Sequence, residues 1–87
     1  MYTVYILYSF AHKKLYTGYT SDLVQRFYSH NIYSKTGWTK NYRPWVVIHC
    51  EIFDDVSCAI AREKELKSGK GRDWIKNNFN NWIKAFG

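Results

Sequence analysis

The run from Tyr2 to Tyr8, YTVYILY, carries no charge and alternates β-branched with aromatic side chains. That pattern predicts a pleated strand buried on at least one face. Along such a strand Tyr5 shares its face with Thr3 and Leu7, while Val4 and Ile6 point the other way. Ser9 to Lys13 then form a turn and Lys14-Leu15-Tyr16 begin a second strand, so the chain opens on an antiparallel hairpin. A register setting Tyr5 opposite Tyr16 brings both hydroxyls out on one face. Two strand tyrosines ordinarily serve as cross-strand packing partners, and that is their plainest use here.

Past Tyr16, Gly18 is expected to free the backbone to turn, and Thr20, Ser21 or Asp22 to cap a helix running to about Asn31. Arg26 and His30, at i and i+4, share one helical face. They sit at the edge of an apolar stripe made by Leu23, Val24 and Phe27, where packed residues can hold polar groups towards a cleft. Taken alone, the pair also fits a solvated arginine and a histidine interacting with the last carbonyls of its helix.

The segment NIYSKTGWTKNYRP has no clean period and is expected to be a long exposed loop. It interleaves Lys35, Lys40 and Arg43 with Tyr33, Trp38 and Tyr42, so cations can meet phosphates and rings can stack on bases. With Tyr19, the residues Lys35, Trp38, Lys40 and Arg43 are the candidate nucleic-acid contacts; the bland alternative is rings covering a core edge. Pro44 ends the loop at a strand start. Trp45 to Phe53 make the third strand, with His49 read as a packed or edge residue.

Asp54 and Asp55 supply cap chemistry for a second helix to about Ser68, with Gly69 as its stop. On this helix Val56, Ala59, Ile60 and Leu66 surround Glu63, which turns a carboxylate into the core face, while Glu65 faces solvent. An inward carboxylate is costly unless hydrogen-bonded, paired or coordinating a metal. Glu63 is therefore a site candidate, with a salt bridge to Arg26 or a lysine as the structural alternative. A third helix from Gly71 carries Trp74, Ile75, Phe79, Trp82, Ile83 and Phe86 at helical spacing and should cover the sheet.

Eighty-seven residues bound one small domain. Apolar residues at 46%, with 20% aromatic, are enough to fill its core unaided. Cys50 and Cys58 show no metal or disulfide spacing and are expected to be reduced, mostly buried thiols. No apolar run reaches membrane length and the start lacks a signal-peptide plan, so a cytoplasmic protein is expected. Thirteen Lys and Arg against seven Asp and Glu, a net charge of +6, favour a polyanionic partner.

Gathered in one cleft, Tyr5, Tyr16, Arg26, His30 and Glu63 would suit phosphodiester chemistry. Arginine offers a fork to a phosphate and stabilises developing charge. One inward carboxylate can hold one Mg²⁺ or Mn²⁺, whereas seven scattered acids argue against a two-metal site. Water would be the nucleophile, with Tyr5, Tyr16 and His30 all candidates for its base. A phenol titrating near 10 needs roughly 4 kcal/mol of help to serve at neutral pH, and an imidazole needs little.

In order, Thr3-Val4-Tyr5, ten intervening residues, Tyr16-Thr17-Gly18, Arg26, His30 and a helical Glu63 resemble the GIY-YIG nuclease domain. The likeness is strongest to small stand-alone bacterial members related to the N-terminal nuclease domain of the excision-repair subunit UvrC, and it extends through VYIL, LYTGYTSDLVQRFYSHN, TKNYRPW and AREKELKSGKGR. It implies an α+β fold, a three-stranded antiparallel sheet flanked by helices, and a metal-dependent endonuclease cutting one DNA strand. Carried over, Tyr5 and Tyr16 are the signature tyrosines, with Tyr16 a favoured base or water-orienting group. Arg26 contacts the scissile phosphate, His30 holds the helix position taken by His or Tyr, and Glu63 is the metal ligand. Thr3-Val4 replaces Gly-Ile, and Tyr19 stands where the repair domain has a lysine. A C-terminal asparagine has no clear counterpart, Asn78 and Asn80 being the candidates. Without accessory DNA-binding domains, target choice would fall to a partner protein or homo-oligomer, and RNA stays open beside DNA. The alternatives are a nucleic-acid-binding module of the same fold, slow or inactive in cleavage, and an interaction protein in which Glu63 is structural.

Overall fold

In the computed structural model, which describes residues 1–28, 30–31 and 38–85, the uncharged first run lies in the middle of the sheet. This strand, β1 (Tyr2–Ser9), pairs antiparallel with β2 (Lys14–Thr20) on one side and β3 (Val46–Phe53) on the other, giving the order β2-β1-β3. Val4, Tyr5, Ile6 and Leu7 are each 1% exposed or less, so both faces of the strand are covered. On one face Val4 and Ile6 pack with Ile48, Ala59, Leu66 and Ile75, beneath α2 (Val56–Lys67) and α3 (Gly69–Lys84). On the other, Tyr5, Leu7 and Trp45 form a second core, flanked by Leu23 and Phe27 of α1 (Leu23–Tyr28) and by Tyr42 of a 3-10 turn, Trp38–Tyr42. The architecture is the α+β arrangement expected.

Polar side chains set the helix boundaries. Asp55 caps α2 by accepting from the Ser57 amide at 3.0 Å, as its cap chemistry suggested. Ser68 both closes α2 and opens α3: its amide and hydroxyl meet the Glu65 carbonyl, and its Oγ accepts from the Gly71 amide. Gly69 is thus the first residue of α3 and not a stop. Gly71 is required by close approach, since a Cβ there would stand 2.0 Å from the Glu65 carbonyl oxygen. Trp74, Phe79, Trp82 and Ile83 pack against the sheet as their spacing implied, and Phe86 lies outside the described residues.

Several local expectations are corrected. Gly18 makes no turn; it sits inside β2 opposite Tyr5, and Tyr16 pairs with Leu7, so the tyrosines are diagonal. The turn falls at Ser21-Asp22, where Asp22 accepts from the Gln25 amide at 3.1 Å. The α-helical part is Leu23–Tyr28, with His30 and Asn31 in π-helical conformation as the expected extent to about Asn31 implies, and Val24 is 66% exposed instead of lying in the stripe. β3 begins at Val46, with the buried Trp45 just before it, and a bulge makes Ile48 an extra residue that turns into the helix-side core. Cys50 and Cys58 are exposed, not buried: Cys50 shares its sheet face with the exposed Ile52, beyond the second core's cover, and Cys58 lies on the solvent side of α2. The segment expected as a loop folds at its end into the 3-10 turn, while Tyr33 and Lys35 lie outside the described residues. Among the described residues, no helix is long and apolar enough to cross a membrane.

Candidate active site

The site begins with the pairing of Tyr5 and Gly18. A Cβ at position 18 would lie 2.7 Å from the Tyr5 hydroxyl, so only glycine leaves room for that phenol to reach across β2. Tyr16, two residues back on the same face, places its ring centroid 6.2 Å from that of Tyr5. His30 comes in from beyond α1, 7% exposed, with Nε2 3.0 Å from the Tyr5 hydroxyl and Nδ1 3.0 Å from Thr39 Oγ1. Both ring nitrogens are therefore occupied, and the imidazole stands 4.8 Å from the Tyr16 ring.

A built support holds this histidine. The Trp45 indole N–H donates to the Thr39 carbonyl at 2.8 Å, and the Asn31 side chain donates to the Trp45 carbonyl at 3.0 Å while accepting from its amide. Arg43 donates from Nε to the His30 carbonyl, which makes it a structural cation as well as a candidate phosphate contact. Thr39 has no part in the residue reading, because a threonine in an aperiodic polar segment gives no pattern to find. Its only sequence signal is the polar-to-aromatic TKNYRPW string around it.

Electrostatics divides the titratable groups. Burial, with Arg26 and Arg43 adding to it, holds the His30 imidazole below its ordinary value and keeps it neutral. Burial above all drives the Tyr5 phenol far above its usual value; Tyr16 and Glu63 push the same way and Arg26 opposes. Tyr5 is thus a protonated donor and a poor base.

A cavity of about 470 Å³ opens where the strands meet α1 and α2, lined by Tyr5, Tyr16, Gly18, Tyr19, Arg26 and Glu63 among others. Four of the five expected groups converge there, and His30 stands behind Tyr5. Glu63 is mostly buried, its side chain 18% exposed, and Lys67 Nζ lies 3.4 Å from its Oε1, so its ion pair is to a lysine and not to Arg26. Lys67 Nζ also lies 6.0 Å from the Tyr16 ring centroid.

A sequence profile described as the GIY-YIG catalytic domain matches residues 1–80. The chain belongs to the GIY-YIG family. Such domains are nuclease-type, typically endonucleases, and generally use divalent metal ions. Among curated relatives, the UPF0213 protein of Natronomonas pharaonis is 40% identical over 65 residues, 75% of each chain. That of Staphylococcus haemolyticus is 41% identical over 62 residues, 71% of this chain and 76% of its own. That of Haloquadratum walsbyi is 41% identical over 56 residues, which span 64% of this chain and 63% of that protein. These names state no activity. No solved structure matches the chain significantly.

Other polar groups of this GIY-YIG domain lie away from the cleft. His49 stacks on Trp82 with centroids 4.6 Å apart and pairs with Glu51 at 2.9 Å, so it is packed, as expected. Arg62 grips Glu51 from Nε and Nη2 at 2.8 and 3.0 Å and also pairs with the solvent-facing Glu65. Asn78 donates to the Trp74 carbonyl of its own helix at 2.8 Å, and Asn80 lines a neighbouring groove, so neither lines the cleft. Tyr19 does line it, and Lys40 is exposed on the 3-10 turn. Trp38 belongs to that turn. Glu63 is the cleft's sole carboxylate, and no cluster of three or more His, Cys, Asp or Glu able to hold a metal occurs among the described residues. Glu63 is the residue here that could hold a hard divalent ion, with water and phosphate oxygens completing the shell.

Proposed function

We propose that this GIY-YIG domain is a metal-dependent endonuclease hydrolysing DNA phosphodiester bonds, and that it acts in the cytoplasm. The observation that supports this reading is convergence: Tyr5, Tyr16, Arg26 and Glu63, from four separate elements, line one open cavity wide enough for a sugar-phosphate link. Arg26 would fork onto the non-bridging phosphate oxygens and offset the charge that grows as water attacks phosphorus. Glu63 would hold one Mg²⁺ or Mn²⁺, whose charge stabilises the phosphate oxygens and the departing oxygen.

Tyr16 is the favoured base. The chain Thr39 O–H to His30 Nδ1, His30 Nε2–H to the Tyr5 oxygen, and Tyr5 O–H to the Tyr16 oxygen uses each donor once and satisfies every group. It ends on Tyr16, whose oxygen accepts from the Tyr5 hydroxyl and whose ring lies 6.0 Å from Lys67 Nζ. As base, Tyr16 would first release its own proton to solvent; the attacking water then gives a proton to the Tyr16 oxygen, the phosphorus–oxygen bond to the leaving nucleotide breaks, and the leaving oxygen is protonated from solvent. Neutral His30 orients Tyr5 and leaves the proton transfer to Tyr16.

Nicking of supercoiled plasmid with Mn²⁺ or Mg²⁺, against an EDTA control and Glu63→Gln, tests the reading, with an RNA oligonucleotide as a parallel substrate. Wild-type nicking that is lost in Glu63→Gln with DNA binding intact supports an endonuclease. DNA binding without cleavage under either metal would make the domain a nucleic-acid-binding module instead.

A further inference from the structure

Beside the cleft, on the far side of Tyr16, lies a second and larger groove of about 900 Å³. Its walls come from Leu15 and Thr17 of the edge strand β2, Leu66 of α2, and Ile75 and Phe79 of α3. Lys67, Arg72 and Lys76 stand around it against one acid, Asp73. Two side chains join groove and cleft: Tyr16 lines both, and Lys67 lines the groove while pairing with Glu63. Apart from Tyr16, and Lys67 beside it, none of these groove residues has a part in the hydrolysis.

We infer that this groove is a nucleotide subsite, which takes the base next to the scissile phosphate after that base has left its stack. The inference rests on the nuclease reading for the position of the phosphate. Its size falls within the range of about 300–1,000 Å³ typical of small-ligand sites, so it suits one nucleotide and not a duplex. Apolar walls with an aromatic ring accept the face of any base, and the cations at the rim meet the phosphates on either side. The excess of cations over acids favours a nucleic-acid strand over a peptide added to the free edge of β2. A base held in a stacked, paired duplex must first be extruded to enter, so the subsite selects substrates whose nucleotide at the cut is unpaired, in a flap, gap, mismatch or single strand.

The test uses the full chain and oligonucleotides carrying 2-aminopurine at successive positions, bound in EDTA. The subsite predicts a fluorescence change at one position, lost in Leu15→Glu, and binding weakened about tenfold in the Arg72→Gln, Lys76→Gln double variant. These three residues are exposed. Asp73→Lys, which adds a cation at the rim, should tighten binding and tests the claim even if Leu15→Glu misfolds. Cleavage of the same oligonucleotides with Mn²⁺ is scored separately. Cutting that is equal on paired and unpaired substrates and indifferent to Leu15→Glu and Asp73→Lys overturns the subsite while leaving the nuclease. A positional signal sensitive to those variants, with no cutting under any metal, keeps the groove as a binding site and overturns the nuclease. No positional signal, with all variants binding as wild type does, overturns the subsite.

Discussion

His30 is neutral, buried and bonded at both nitrogens, and each property has a measurable consequence. Because its folded value lies below the ordinary 6.5, the unfolded chain binds the proton more readily. Its contribution to stability is therefore fully present above about 6.5 and is lost as pH falls from there towards the depressed folded value. Urea midpoints measured from pH 7.5 to 5.5 should fall in the wild type and fall less in His30→Gln; equal slopes would contradict the assignment. Thr39→Val removes the hydroxyl facing Nδ1 and leaves a buried nitrogen unpaired, at a cost of about 1–3 kcal/mol. Urea unfolding checks the stability, and single-turnover cleavage should fall as well, since Tyr5 loses its orientation. Helical spacing marked Glu63 as turned inward, whereas the grouping of Tyr5, Tyr16 and Arg26 with it is what the family resemblance implies. Thr39 was not legible in the sequence, because its role depends on a fold-back that brings it against a histidine nine positions away.

Two glycines and one serine set how closely elements approach one another at the cleft and at the α2–α3 junction. Gly18 lets the Tyr5 hydroxyl lie against β2, and its hydrogen bond with His30 keeps that hydroxyl from moving aside. Gly18→Ala should cost about 1–3 kcal/mol by overpacking and should lower cleavage more than stability alone explains; thermal unfolding and a cleavage assay on folded protein separate the two effects. At the α2–α3 junction the obstacle to a Cβ is backbone, so Gly71→Ala should cost about 3 kcal/mol, seen as a lowered urea midpoint, with cleavage per folded molecule preserved. The sequence announced the strands and the Asp55 cap through local chemistry. It misassigned Gly18 and Gly69 as turn and stop because a glycine's composition is the same whether it serves a turn, a cap or a close approach. Cys50 and Cys58 were misjudged because small thiols are usually buried, and only the assembled layers show where cover ends.

At the scale of the whole molecule, the sheet acts as a rigid partition: one face is closed by α2 and α3, and the other by α1 and the 3-10 turn. The cleft forms near the edge strand β2, where these layers meet, so groups far apart in sequence can line one wall. The net charge of +6 fits a polyanionic substrate but does not choose the reaction; the proposed reaction rests on the convergence of two phenols, a guanidinium and a carboxylate. The central claim is that Tyr16 takes the proton of the attacking water. Single-turnover cleavage of a labelled DNA oligonucleotide by Tyr16→Phe, with Mn²⁺ saturating and folding verified, tests it most directly. The account predicts a rate about 10²–10⁴-fold below wild type with unchanged DNA affinity; a rate within a few-fold of wild type would contradict it.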